Sequence, residues 1–185
     1  MTVALANRMT ITEFLAWANA QSSRSRYELM DGYPQMMAPE RLLHVKTKLA
    51  VAMALVEASR KSDTECHVLP DGATVRIDEF TAFEPDALVY SGAELPDDDI
   101  IVDNPVVVIE VLSPSTAHRD AVVKLQDYFR VGSIYHYLIV DPEMRTLIHH
   151  QRDDERIATA IMRDGELKLS PPGLSLQVSD LFSAY

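Results

Sequence analysis

Glu110 stands in the run Val106 to Leu112, whose other six residues are all aliphatic. A short β-branched stretch closed by Ser113-Pro114 reads as a strand covered on both faces. An unpaired charge at its centre would forfeit several kcal/mol of hydration. Three things can hold it there: a buried basic partner, a pKa shifted toward the neutral acid, or a metal ion. Asp86 follows Pro85 and heads a second predicted strand, 24 residues before Glu110. Two strands joined by one loop can lie side by side and bring these carboxylates within a few ångströms. Like charges that close repel unless a proton or a divalent cation intervenes. Mg²⁺ or Mn²⁺ suits such oxygen ligands and keeps part of its water, and the backbone carbonyl of Val111 offers one more. A site of that kind lowers the pKa of bound water and steadies an oxyanion on phosphorus. The chemistry it points to is hydrolysis of a phosphate ester.

Such hydrolysis also wants a cation near the nucleophile or the scissile phosphate. Lys124 is the candidate, on a predicted helix that folds back over the sheet after Glu110. Asp120, Lys124 and Asp127 share one face of that helix by their spacing. Plainer readings stand beside each of these. Asp120 and Lys124 make an ordinary exposed ion pair on one of them. On another, Glu110 forms a buried salt bridge to Arg119 or Lys124, and Asp86 caps a strand end. Glu28, in a strand with alternating sides, reads first as solvent-facing, together with Met30.

The elements that must position these residues follow in order. Thr10-Ile-Thr-Glu13 forms a capping box for a helix that fades by about Ser22. Tyr27 to Met30 and Tyr33 to Met37 flank Asp31-Gly32 as a β-hairpin, with Pro34 keeping the second strand at an edge or bulge. Glu40 to Lys61 holds no Gly or Pro, and Leu42, Val45, Leu49, Met53 and Val56 recur at helical spacing. Strands are predicted at Cys66–Leu69, Ala73–Ile77, Asp86–Tyr90 and Val106–Leu112, with an acidic loop from Ser91 to Asn104. A helix from Thr116 to Val131, capped by Ser113 or Ser115, stops at Gly132. Strands return at Tyr135–Val140, Thr146–Gln151, Ile157–Met162 and Glu166–Leu169, before a short helix at Ser179–Phe182. The order is that of an α/β or α+β fold, a mixed sheet flanked by helices, in one domain spanning residues 1–185.

The 185 residues are 47% hydrophobic and 24% charged, the balance of a globular chain. No apolar run reaches the ~20 residues of a membrane span. Cys66 is the single cysteine, so no internal disulfide and no thiolate metal cluster can form; with no basic cluster ahead of the N-terminal apolar stretch, a cytoplasmic protein is expected. The net charge of −11 argues against a general nucleic-acid coat protein. Residues 1–61 nonetheless carry eight Lys/Arg against five Asp/Glu. A polyanion would therefore approach that third, where Arg24, Arg26, Arg41, Lys46 and Lys48 are candidate phosphate contacts.

An ordered set of segments resembles the PD-(D/E)XK nuclease superfamily, and within it the bacterial Uma-type endonuclease branch. The segments are Tyr27 to Gly32, His44, Pro85-Asp86, Glu110 to Thr116, Asp120, Lys124, Tyr128, Gly132 and Tyr137 to Pro142. The resemblance covers most of the chain and implies the restriction-endonuclease-like fold. It implies Asp86 and Glu110 as metal ligands, Glu28 as a third acidic member, and His44 as a contact to phosphate or to the groups around the metal. The superfamily's lysine stands two residues after the glutamate, where this chain has Leu112; in this branch the role passes to the following helix and so to Lys124. Tyr135 to Tyr137 departs from the branch's pattern and is assigned to packing, and His149-His150 to no role. The function expected is a Mg²⁺- or Mn²⁺-dependent endonuclease acting on nucleic acid, DNA in the first instance, as a homodimer. A nuclease-fold module that binds without cutting, and a hydrolase of smaller phosphorylated substrates, are the alternatives.

Overall fold

The computed structural model describes residues 8–21, 25–113 and 119–183, with the backbone alone described at 119–122. The elements are α1 (Ile11–Asn19), β1 (Tyr27–Met30), β2 (Tyr33–Met36), α2 (Leu42–Lys61), β3 (Cys66–Pro70), β4 (Thr74–Arg76), β5 (Ala82–Phe83), β6 (Ala87–Ser91), β7 (Ile101–Val102), β8 (Pro105–Val111), α3 (Arg119–Tyr128), β9 (His136–Asp141), β10 (Thr146–Asp153), β11 (Arg156–Met162), β12 (Glu166–Leu169) and β13 (Leu174–Gln177), closed by a 3-10 turn at Val178–Phe182. Among the described residues no helix is long and apolar enough to cross a membrane.

Local chemistry sets the first elements. Thr10 Oγ1 accepts from the Glu13 amide at 3.3 Å while the Glu13 carboxylate accepts from the Thr10 amide at 2.8 Å, the reciprocal box that starts α1. Asp31 and Gly32 take φ of 51° and 85°, the two left-handed residues that a tight hairpin turn needs, and β1 and β2 pair antiparallel across it. Pro34 lies on β2, the outermost strand of a five-stranded sheet ordered β2-β1-β5-β4-β7. There its missing donor costs no ladder bond.

A six-stranded sheet ordered β11-β10-β9-β8-β6-β3 carries the centre of the molecule. β8 runs parallel to β9 and antiparallel to β6, so the sheet is mixed, as expected. One face of β8, with Val107, Ile109 and Val111, packs under Val51, Leu55 and Ala58 of α2. The other face, with Val108, meets Leu88, Tyr128, Tyr137 and Ile139. Val107, Val108 and Ile109 are fully buried, which bears out a strand covered on both sides.

The orientation of α2 corrects the sequence reading. The stripe that marks this helix in the sequence, Leu42, Val45, Leu49 and Met53, faces outward with exposures of 78, 45, 44 and 54%. The inward face is His44, Thr47, Lys48, Val51, Leu55 and Ala58. Periodicity identifies a helix but not which of two partly apolar faces meets the sheet. Other differences are smaller. Two-residue strands such as β5 and β7 leave no periodic trace, so β7 hides within the acidic loop. β13 alternates buried Leu174 and Leu176 with exposed Ser175 and Gln177, a pattern present in the sequence but overlooked. α3 ends at Tyr128, before the expected Val131, and its expected start at Thr116 lies outside the described residues, as do Ser22 and Ser115.

Candidate metal and phosphodiester site

The pairing of β6 with β8 sets Ala87 opposite Ile109, so the residues one step further on, Asp86 and Glu110, come level at the same end of the sheet. Both line a cavity of about 390 Å³, together with Glu28 from β1, Glu40 and His44 around the start of α2, Glu84, Val111 and Lys124 from α3. Met30, Met36 and Met37 form part of its wall. The expected juxtaposition of Glu28, His44, Asp86, Glu110 and Lys124 is therefore present.

Lys124 reaches the sheet from α3. Its Nζ donates to Glu110 Oε1 at 2.9 Å and to Glu28 Oε1 at 2.8 Å, and the Tyr128 hydroxyl donates to the same Glu110 oxygen at 2.7 Å. Glu28 also accepts from the Glu84 amide at 3.0 Å, so it points inward, contrary to its first reading as solvent-facing. Both bonds to Glu110 fall on Oε1, and among the described residues none falls on Oε2. Burial raises the Glu110 pKa, against the pull of Lys124, to about 7. Of the three ways to hold Glu110, the structure contains two at once: a basic partner and a pKa displaced toward the neutral acid. The Lys124 ammonium loses hydration too, but its two carboxylates more than compensate and hold it charged. Asp127 takes no part in this cluster; half-buried, it pairs with Arg130 at 3.0 Å. The side chains of Arg119 and Asp120 lie outside the described residues.

A second cluster forms around Asp86, whose side chain is 7% exposed. Its Oδ2 accepts from the Val111 amide at 2.7 Å, which ties it to the end of β8. Its Oδ1 lies 3.3 Å from His44 Nε2 and 3.5 Å from Lys48 Nζ. Lys48 also donates to Glu40 at 2.5 Å and to Asp71 at 3.0 Å. Burial opposes the charged forms of His44 and Lys48, yet bonds to Asp86, Glu40 and Asp71 outweigh it and raise both pKa values. Arg26 then links Asp71 to Glu84 and closes the chain of charges. Neither Arg26 nor Lys48 is thus a free phosphate contact, whereas Arg41 stays 70% exposed at the side chain in a loose pair with Glu143 at 3.8 Å. Arg24 lies outside the described residues.

Sequence reasoning missed Glu40, Asp71 and Glu84. The signal for Glu40 was its spacing: Glu40, His44 and Lys48 recur every four residues, the first just ahead of α2 and the other two on the face that proves to be buried. Asp71, directly before Gly72 in the turn after β3, carries only the signature of a turn residue. Counted together, Glu28, Glu40, Asp71, Glu84, Asp86 and Glu110 face the fixed cations Arg26, Lys48 and Lys124, an excess of carboxylates over bases in a half-enclosed space. The ligand atoms of Glu40, His44 and Asp86 lie within 4.8 Å of one another. Two oxygens and an imidazole nitrogen suit Mn²⁺, and oxygen-rich surroundings suit Mg²⁺. The donor set fits a divalent cation.

Comparison with known proteins bears on the fold and the family. No curated protein matches the chain. A crystal structure described as a putative nuclease belonging to DUF820, from Anabaena variabilis ATCC 29413, superposes with a TM-score of 0.73, covering 95% of this chain and 98% of that one at 16% identity. That likeness establishes the fold. The family model described as "Uma2: Putative restriction endonuclease" matches residues 11–181, nearly the whole chain, and the protein belongs to that family.

Proposed function

We propose that this protein is a divalent-metal-dependent endonuclease that hydrolyses phosphodiester bonds in DNA. The observation carrying this reading is the meeting of Asp86, Glu110 and Lys124 from three separate elements on one cavity, with carboxylates in excess of fixed cations. Asp86 and Glu110 would hold the metal, with the Val111 carbonyl or the Glu40–His44 pair completing the set. The bound ion would acidify a water and neutralise charge on the phosphate.

The protein's own groups supply the rest. Tyr128 and Lys124 fix Glu110 by its Oε1 and leave Oε2 to the cavity. The Val111 amide orients Asp86, and Lys48 holds Asp86, Glu40 and Asp71 in one arrangement. Lys124, at the boundary of Glu28 and Glu110, can turn from a carboxylate to a phosphate oxygen or an attacking water. It takes the place of the lysine absent at Leu112. His44 bonds Asp86 and would contact phosphate from there. A homodimer acting on two strands, Mg²⁺ or Mn²⁺ as the ion, and a cytoplasmic site of action complete the proposal.

One observation favours a second reading, a nuclease-fold module that binds without cutting: Lys124 is already held by two carboxylates. A plasmid-cleavage assay with Mn²⁺ or Mg²⁺ separates the two. The endonuclease reading expects metal-dependent nicking by the wild type and its loss in Asp86→Ala and Glu110→Ala. Equal cleavage by all three proteins contradicts the site. Metal binding without cleavage by any of them supports the module.

A further inference from the structure

α2 is apolar on two sides. Its inner side is spent on the sheet, where Val51 and Leu55 are fully buried. Its outer side carries Leu42, Val45, Leu49 and Met53, all exposed, with Val56 half-buried beside them. Scattered exposed apolar residues are ordinary, but a continuous stripe along about 20 Å of helix marks a contact surface. The stripe also has a symmetry. Relative to Leu49, its members stand at −7, −4, 0, +4 and +7. A twofold interface must present one patch to a copy of itself, and a stripe symmetric about its own centre does so when two helices cross antiparallel. Leu42 then packs beside Val56 of the other copy, Val45 beside Met53, and Leu49 meets Leu49.

Charge selects the same arrangement. Lys46 and Glu57 lie on one flank of the stripe, on opposite sides of Leu49. An antiparallel crossing puts each lysine and the glutamate of the other copy on the same side of the seam, offset by about 7.5 Å along the axis and within reach of two long side chains, whereas a parallel one sets lysine level with lysine. Glu57 is held in the isolated chain only by Lys61, an exposed pair at 3.0 Å, and is readily shared. The helix dipoles also oppose each other favourably. His44, which lines the cavity, and Lys48 beside it belong to the buried face of α2, so pairing leaves the cavity uncovered.

From this geometry we infer that the outer face of α2 is a homodimer interface, two copies crossing antiparallel about a twofold axis at Leu49. The inference gives the dimer named above a surface, and it stands or falls independently of the cleavage chemistry.

Light scattering after gel filtration of the full chain, from about 1 to about 100 µM, tests it. The wild type is expected at twice 20.7 kDa. Leu49→Glu, which sets two carboxylates on the axis, is expected as a folded monomer by circular dichroism, with dimer affinity reduced at least tenfold. An equimolar mixture of Leu49→Glu with Leu49→Lys is expected to recover the dimer, because only residues that meet across the axis can compensate in this way. Met53→Lys gives the same monomer by a second route should Leu49→Glu fold poorly. Ile161→Glu, at a residue 71% exposed on β11, is expected to leave the dimer intact. A wild type that stays monomeric throughout, a dimer that survives Leu49→Glu and Met53→Lys, or a mixture that fails to pair overturns the inference.

Discussion

The central sheet buries polar groups at two places and meets the cost in opposite ways. Around Glu110 acids meet bases: Lys124 lies against Glu110 and Glu28, Lys48 against Asp86, Glu40 and Asp71, and Glu28, Glu40, Asp86, Glu110 and Lys124 border a cavity. At the β9–β10 pair, His136 Nδ1 lies 2.9 Å from His149 Nε2, one ring donating and the other accepting. Burial lowers the pKa of each to about 4, so the pair is held neutral. Its two rings sit between paired strands and border none of the larger cavities. Buried polarity alone therefore does not mark a site. What separates the two is convergence of unlike charges on open space in one case and a neutral pair away from that space in the other.

The sharpest break between them is in activity. Asp86→Ala is expected to reduce metal-dependent cleavage by at least about 10²-fold, on the scale of losing a ligand or an oxyanion-stabilising group. His149→Gln, assayed on folded protein, is expected to keep the wild-type rate within about twofold, since it reaches no cavity group. Initial rates on supercoiled plasmid measure both. Equal losses in the two variants would erase the distinction.

Stability separates them next. Lys124→Met leaves Glu28 and Glu110 facing each other without their cation and is expected to cost about 3 kcal/mol in denaturant unfolding. Adding Glu110→Gln to Lys124→Met removes the orphaned charge and is expected to recover much of that loss. Additive losses in this pair of variants would mean that the two side chains do not interact.

The pH dependence should run in opposite directions. The histidine pair, depressed to about 4 from an ordinary 6.5, contributes stability that is complete above 6.5 and is lost as pH falls toward 4. Glu110, raised to about 7 from 4.5, does the reverse: the fold binds its proton more tightly, so its contribution is complete below 4.5 and is lost as pH rises through 7. Thermal unfolding of His149→Phe is expected to flatten the acid limb, and Glu110→Gln the limb between 4.5 and 7. Neither slope changing would contradict the assigned environments. The smallest expected effect is at Asp127 of α3, where Asp127→Ala breaks a pair whose arginine is half exposed and keeps Asp78 as a second partner, and costs about 1 kcal/mol or less. Its contrast with Lys124 on the same helix checks which face turns inward.

Much of this was legible in the chain. An aliphatic run interrupted by one glutamate forecasts both the buried strand and the need for a partner, and the Asp31-Gly32 turn and Thr10–Glu13 box specify their elements locally. Asp86 and Glu110 come level because adjacent antiparallel strands leave little alternative. Less legible was anything decided by which side of an element meets the rest. α2 presents two stripes, and the more apolar one in the sequence turned outward, because the inner stripe carries His44 and Lys48, which bond Asp86 and its neighbours, at one end and Val51 and Leu55, which pack on the sheet, further along. Asp71 and Glu84 flank a turn and a proline and join the site through contacts to Arg26, Lys48 and Glu28, across 45 and 58 residues of chain in the case of Arg26, which no local pattern encodes.

The central claim is that a divalent ion belongs beside Asp86 and Glu110. Anomalous diffraction from crystals soaked in saturating Mn²⁺ tests it directly. The account predicts a manganese peak bonded to Asp86, with Glu110 Oε2 or the Glu40–His44 pair as the next ligand. A cavity empty of manganese, with Lys124 still closed on Glu110 and Glu28, would contradict it.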